Sequence, residues 1–149
     1  GSYSAGYQTS GETQPSAMFL LVSKKRYNSK HQLISMKVAV FAYNGEPMCF
    51  VHALLYAEDL HTKGHDVKLI IEGSATKLVK ELADPDVQFH SLYKKVKELG
   101  VIDCVCMACS KKMGAYDSAV EQGLPICGEM KGHPSLLKYV EAGYETIAL

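Results

Sequence analysis

The stretch Met36-Lys-Val-Ala-Val-Phe-Ala-Tyr-Asn-Gly-Glu-Pro47 decides the fold. Its first seven residues form a near-continuous apolar run, as a parallel strand covered on both faces requires. Asn44-Gly45 breaks the run, and Pro47 suits the first turn of a helix. The helix is expected to reach Lys63 and stop at Gly64. The same alternation repeats outward to the C-terminus. Val67-Lys-Leu-Ile-Ile71 reads as a second strand, followed by a short helix through Leu78, Val79 and Leu82 that Asp84-Pro85 ends. Phe89, Leu92, Tyr93, Val96 and Leu99 recur at helical spacing up to Gly100. Val101-Ile-Asp-Cys-Val-Cys106 is the third strand, and one helix is expected over 110–122. Leu124-Pro-Ile-Cys127 makes a fourth strand. A last helix opens at His133-Pro134-Ser135, and residues 144–149 form a fifth strand. Strands alternating with helices predict an α/β domain: a flavodoxin-like three-layer sandwich with a five-stranded parallel sheet.

The chain's 149 residues suit one such domain. Residues 1–35 read differently. They are rich in Ser, Gly, Thr, Gln and Tyr, then basic, without an apolar period, and are expected to be a tag and disordered extension ahead of a domain at 36–149. Lys and Arg number 16, as do Asp and Glu, so no net field recruits nucleic acid. No segment has the apolar length of a membrane span. Neither Gly-x-Gly-x-x-Gly nor a P-loop follows a strand, and the loop after the first strand lacks a Ser/Thr-rich phosphate cradle. No cofactor is therefore expected.

The five cysteines are odd in number, and three fall between 104 and 109. A secreted disulfide scaffold shows an even, dispersed set, so this pattern points to a cytoplasmic protein whose thiols do chemistry or hold a metal. In parallel sheets, reactive groups gather at the carboxyl ends of the strands. Cys106 and Cys109 straddle the third-strand-to-helix junction, where helix amides favour a thiolate, and they are the expected catalytic pair. Lys111 and Lys112 add positive potential there. Cys49 and Cys127 lie at neighbouring strand ends as auxiliary thiols, whereas Cys104 is expected in the core. Glu46, Glu129 and His133 fall in loops at the same edge and offer acid–base groups, although an exposed loop position without a special role is the better explanation for each.

Three segments resemble the DsrE/DsrF-like family, small sulfur-relay proteins that include the TusD type. They are Val38-Ala-Val-Phe-Ala-Tyr-Asn-Gly45, Gly64-His-Asp-Val-Lys-Leu69 and Cys106-Met-Ala-Cys-Ser-Lys-Lys-Met-Gly114. The resemblance covers 36–149. It implies a persulfide-carrying cysteine at Cys106, cytoplasmic sulfur donor and acceptor proteins as partners, and assembly into homo- or hetero-oligomers. The chain departs from the family in having Cys109 where a small apolar residue is usual, and in the extra Cys49 and Cys127. The expected function is thus a sulfur carrier or sulfurtransferase, with Cys106 accepting the sulfur and Cys109 resolving it. Two alternatives stand beside it: zinc or an iron–sulfur cluster on Cys49, Cys106, Cys109 and Cys127, or a Cys106–Cys109 thiol–disulfide switch.

Overall fold

A computed structural model describes residues 27–149. The chain divides into two compact units, 1–34 and 35–149. Of the first, only 27–34 are described; the rest of the expected extension lies outside the described residues. Those eight residues form a tight turn with a bridge between Tyr27 and Leu33. The Asn28 side-chain oxygen accepts the backbone N–H groups of Lys30 and Gln32 at 3.0 and 2.9 Å.

The second unit is a five-stranded, all-parallel sheet with helices on both faces. Its strands are β1 (Lys37–Ala42), β2 (Asp66–Ile71), β3 (Ile102–Cys106), β4 (Ile126–Cys127) and β5 (Glu145–Ala148), in the order β4-β3-β2-β1-β5. Its helices are α1 (Pro47–Thr62), α2 (Thr76–Glu81), α3 (His90–Glu98), α4 (Met107–Lys112), α5 (Tyr116–Glu121) and α6 (Leu136–Glu141). From β1 to β4 the chain steps steadily toward one edge. Right-handed crossovers therefore put the first five helices on one face. The return from β4 to β5 runs the other way and carries α6 to the opposite face.

The two faces have separate cores. Val38, Val40 and Ala42 of β1 pack with Phe50 and Leu54 of α1, Leu78 of α2, Tyr93 of α3 and Ala119 of α5. Ala39 and Phe41, pointing the other way, meet Ile70, Cys104, Cys127 and Tyr139 of α6. This is the period-two alternation of a strand buried on both sides. The β2–β3 register shifts so that Leu69 pairs with Ile102 and Ile70 with Cys104, leaving Asp103 as the extra residue. The shift turns Ile102 and Val105 into the first core and Cys104 into the second. Asp103 is satisfied there by Lys68 at 3.2 Å and by the Tyr139 hydroxyl, which donates to it. No helix among the described residues is long and apolar enough to cross a membrane.

Two helical expectations need correction. The single helix over 110–122 is two helices, because Gly114 adopts φ +69° and ends the first of them. That first helix also begins earlier than expected, at Met107, with Cys106 as its N-cap. The last helix opens at Leu136, since Ser135 and the preceding His133 remain outside it.

Candidate functional site

Three loops converge at the carboxyl edge of the sheet. The loops after β1 and β2 are stitched together: Glu72 N–H donates to Ala42 O at 2.8 Å, and Gly45 N–H to Ser74 Oγ at 2.9 Å. Gly45 permits the contact, because a Cβ there would lie 2.5 Å from the Ser74 carbonyl oxygen. The stitch sets Tyr43 beside Glu72. The β4–α6 loop folds back on itself through a bridge between Met130 and His133, with Lys131 and Gly132 both at positive φ. It docks on the first turn of α4, where Ala108 N–H donates to Gly132 O at 2.9 Å. This docking carries His133 to the cysteines.

The Cys106 sulfur is 3.2 Å from His133 Nδ1, and the Cys109 sulfur is 3.6 Å from the same nitrogen. Cys106 also accepts the Cys109 backbone N–H at 3.4 Å, so the thiol itself caps α4. The ligating atoms of Cys106, Cys109 and His133 all lie within 4.8 Å of one another. Cys106 is fully buried, whereas Cys109 and His133 are half-buried. Glu72, only 5% exposed, stands close enough for its charge to act on Cys106 and to feel His133.

Electrostatics here run against the expected Cys106 thiolate. Burial foremost, with the Cys109 thiol next, pushes the Cys106 thiol up to about 12, and the Glu72 charge adds to the rise. The Cys109 backbone N–H pulls the other way and does not win. One amide from a six-residue helix does not outweigh the desolvation of a lone buried anion. Burial also raises Glu72 above the usual carboxylate range, although Tyr43 and His133 oppose the shift. Tyr43 rises above its ordinary value through burial and its hydrogen bond to Glu72.

The remaining expected site residues lie elsewhere. Cys127 is bonded to Cys104 in a disulfide with Cα atoms 5.7 Å apart, so it offers no free thiol to the edge. The cause is its register: Cys127 faces the α6 core, as Cys104 does. Cys49 is exposed on α1, in a shallow hollow with Asn44, His52, Tyr56 and Leu149, outside the Cys106–Cys109–His133 cluster. The four-cysteine metal site is therefore not assembled. Lys111 and Lys112 are exposed, and Lys111 lies over the Tyr116 ring at 5.0 Å. Glu46 is an exposed N-cap of α1 whose side chain makes no cap bond. Glu129 is a staple, accepting from Ser135 N–H and pairing with Lys138 at 3.0 Å. Sequence reasoning missed Glu72 and Tyr43. The available signal was positional, since each immediately follows the last residue of an apolar strand.

A protein of Methanocaldococcus jannaschii, the uncharacterized protein MJ0733, is 35% identical over 120 residues, covering 76% of this chain and 96% of that one. The chain belongs to the MJ0733 family. A second relative, an uncharacterized protein of Archaeoglobus fulgidus, is 38% identical over 55 residues, which is 37% of this chain and 90% of the relative. The solved structure of BT1422 from Bacteroides thetaiotaomicron, a conserved protein of unknown function, superposes with a TM-score of 0.58 at 16% identity. It covers 76% of this chain and 95% of that chain, a likeness of fold. No family model matches the chain.

Proposed function

We propose that this member of the MJ0733 family is a cytoplasmic sulfur carrier of the DsrE/DsrF-like kind, passing sulfane sulfur between a donor and an acceptor protein. The observation that carries this reading is two free thiols sharing one imidazole nitrogen, at 3.2 and 3.6 Å, on the reactive edge of the sheet. A partner protein reaches the outer thiol first, so the roles expected from sequence are exchanged. Cys109 takes the sulfur and Cys106 stands behind it.

His133 Nδ1 accepts the Cys109 proton. The thiolate attacks the outer sulfur of a donor persulfide, forming Cys109–S–SH, and the donor leaves as its thiolate. An acceptor thiolate then attacks that same outer sulfur, and Cys109 departs as thiolate and recovers its proton. Attack by Cys106 on the inner sulfur would instead close a Cys106–Cys109 disulfide and lose the cargo as sulfide. Burial pushes the Cys106 thiol up and favours its protonated form, which suppresses that leak. The Cys104–Cys127 bond is buried in the core on the α6 side, apart from this exchange.

Intact mass after exposing reduced protein to polysulfide tests the reading. One sulfur atom should add to the wild type and to Cys106→Ser, and none to Cys109→Ser. Loading that instead survives Cys109→Ser and vanishes in Cys106→Ser would return the carrier role to the inner cysteine. No sulfur addition to the wild type would remove the carrier function.

A further inference from the structure

The same three side chains satisfy a second chemistry that the carrier role does not require. We propose that Cys106, Cys109 and His133 form a site for a thiophilic divalent cation of the zinc class, supplying three of its four ligands. The site goes beyond the carrier reading and does not depend on it.

Tetrahedral zinc holds sulfur at about 2.3 Å and imidazole nitrogen at about 2.0–2.1 Å, which places S and N ligands about 3.6 Å apart. The two S···N separations are 3.2 and 3.6 Å, and all three ligating atoms fall inside 4.8 Å. The ligands therefore already stand at coordination spacing before any ion enters.

The supports are built in. Cys106 ends β3 and caps α4, Cys109 sits one turn along that helix, and His133 is held by the Ala108–Gly132 hydrogen bond. Gly132, at φ +91°, admits the close approach, since a Cβ there would lie 3.2 Å from Ala108 Cβ. Both Cys106 and Cys109 reach the same imidazole nitrogen, Nδ1, at 3.2 and 3.6 Å.

Charge selects the ion. A lone thiolate is penalised at the buried Cys106, but a dication neutralises two thiolates completely. Two thiolates and one M²⁺ cancel, so the ion and its sulfur ligands together carry no net charge. A monovalent soft ion on the same ligands would leave one negative charge buried. Two cysteines and one histidine with an open place is a zinc ligand set that binds water or a substrate group at the fourth position. While both sulfurs donate to the metal, neither attacks a persulfide, so the filled and sulfur-loaded states exclude each other.

The test is titration of the full, reduced chain under anaerobic conditions with Zn²⁺ against a chromophoric chelator, and with Co²⁺ as a spectroscopic probe. One ion per chain is expected, with thiolate-to-cobalt charge transfer and tetrahedral ligand-field bands. Cys106→Ser, Cys109→Ser and His133→Ala should each weaken binding by about tenfold or more. Cys49→Ser should leave it unchanged, and His133→Cys should restore it with stronger charge transfer. Because Cys109 and His133 are only half-buried, their variants keep the fold, which circular dichroism verifies. Unchanged affinity in His133→Ala, loss of binding in Cys49→Ser, or no stoichiometric ion in the wild type would overturn the site. Polysulfide loading of the same metal-free samples is read separately, so failure to bind zinc leaves the carrier reading standing. Failure to load sulfur, in turn, leaves the metal site standing.

Discussion

Cys104 and Cys106 lie two residues apart on one strand and face the same side of the sheet, yet their surroundings give them opposite chemistry. Cys104 is in the strand's middle, closed over by α6. Its neighbours are Cys127, to which it is bonded, and the Tyr139 hydroxyl at 3.7 Å. Cys106 is at the strand's end, where the backbone turns into a helix and a glycine-bearing loop returns an imidazole. One step of pleat separates a cross-link from a reactive group. Position along a parallel strand, rather than residue type or burial, decides which cysteine holds the fold and which can react.

Removing the imidazole should have the largest effect on the reactive pair. His133→Ala should slow polysulfide loading about a hundredfold at neutral pH, within the range of a lost general base, as followed by intact mass against time. A change under twofold would mean that the proton leaves by another route.

The second test removes the cross-link. The double variant Cys104→Ala, Cys127→Ala opens a loop with a sequence separation of 23, which should lower stability by about 3 kcal/mol in urea unfolding. Sulfur loading should stay within twofold of wild type. Loading that collapses along with stability would break the separation between the two pairs.

Gly132→Ala tests the link between loop and site. Its φ of +91° and the 3.2 Å approach to Ala108 Cβ should cost about 1–3 kcal/mol. Loading should slow as His133 shifts away from the sulfurs. Wild-type stability together with wild-type loading would show that the loop does not need this glycine.

The smallest effect concerns the α6 side. Burial, then the Asp103 hydrogen bond and charge, raise Tyr139 above its ordinary value of 10. A folded pKa above the unfolded one means that its contribution is whole below pH 10 and shrinks as pH rises beyond it. Thermal unfolding between pH 8 and 11 should show that decline, and Tyr139→Phe should lessen it. An identical slope in the variant would assign the alkaline loss to other groups.

The fold was legible because its signals are local. Apolar runs such as 36–42, stops such as Gly64 and Gly100, and Pro47 at a helix start each fix an element without reference to the rest of the chain. The split at Gly114 was also local, but the apolar pattern over 110–122 hid it. The site was legible as the Cys106–Cys109 pair, with His133 only one of three loop candidates at the same edge and its approach to the sulfurs hidden. His133 comes 24 residues after Cys109, and its approach depends on two consecutive positive-φ residues and a docking bond to α4, none of which a period reveals. Cys127 was misplaced because β4 is only two residues long, too short for alternation to say which face its side chain takes. The Cys106 pKa depends on burial by loops from three parts of the chain, so its sign could not be read from a helix start alone.

In the proposed carrier the outer thiol, Cys109, bears the sulfur while the inner one, Cys106, stays a protonated thiol. The most direct measurement is peptide mapping of wild-type protein after brief polysulfide exposure and alkylation, to locate the added sulfur atom. An alkylated persulfide is expected on Cys109, and no added sulfur at Cys106. Sulfur found on Cys106, with Cys109 free, would contradict this assignment.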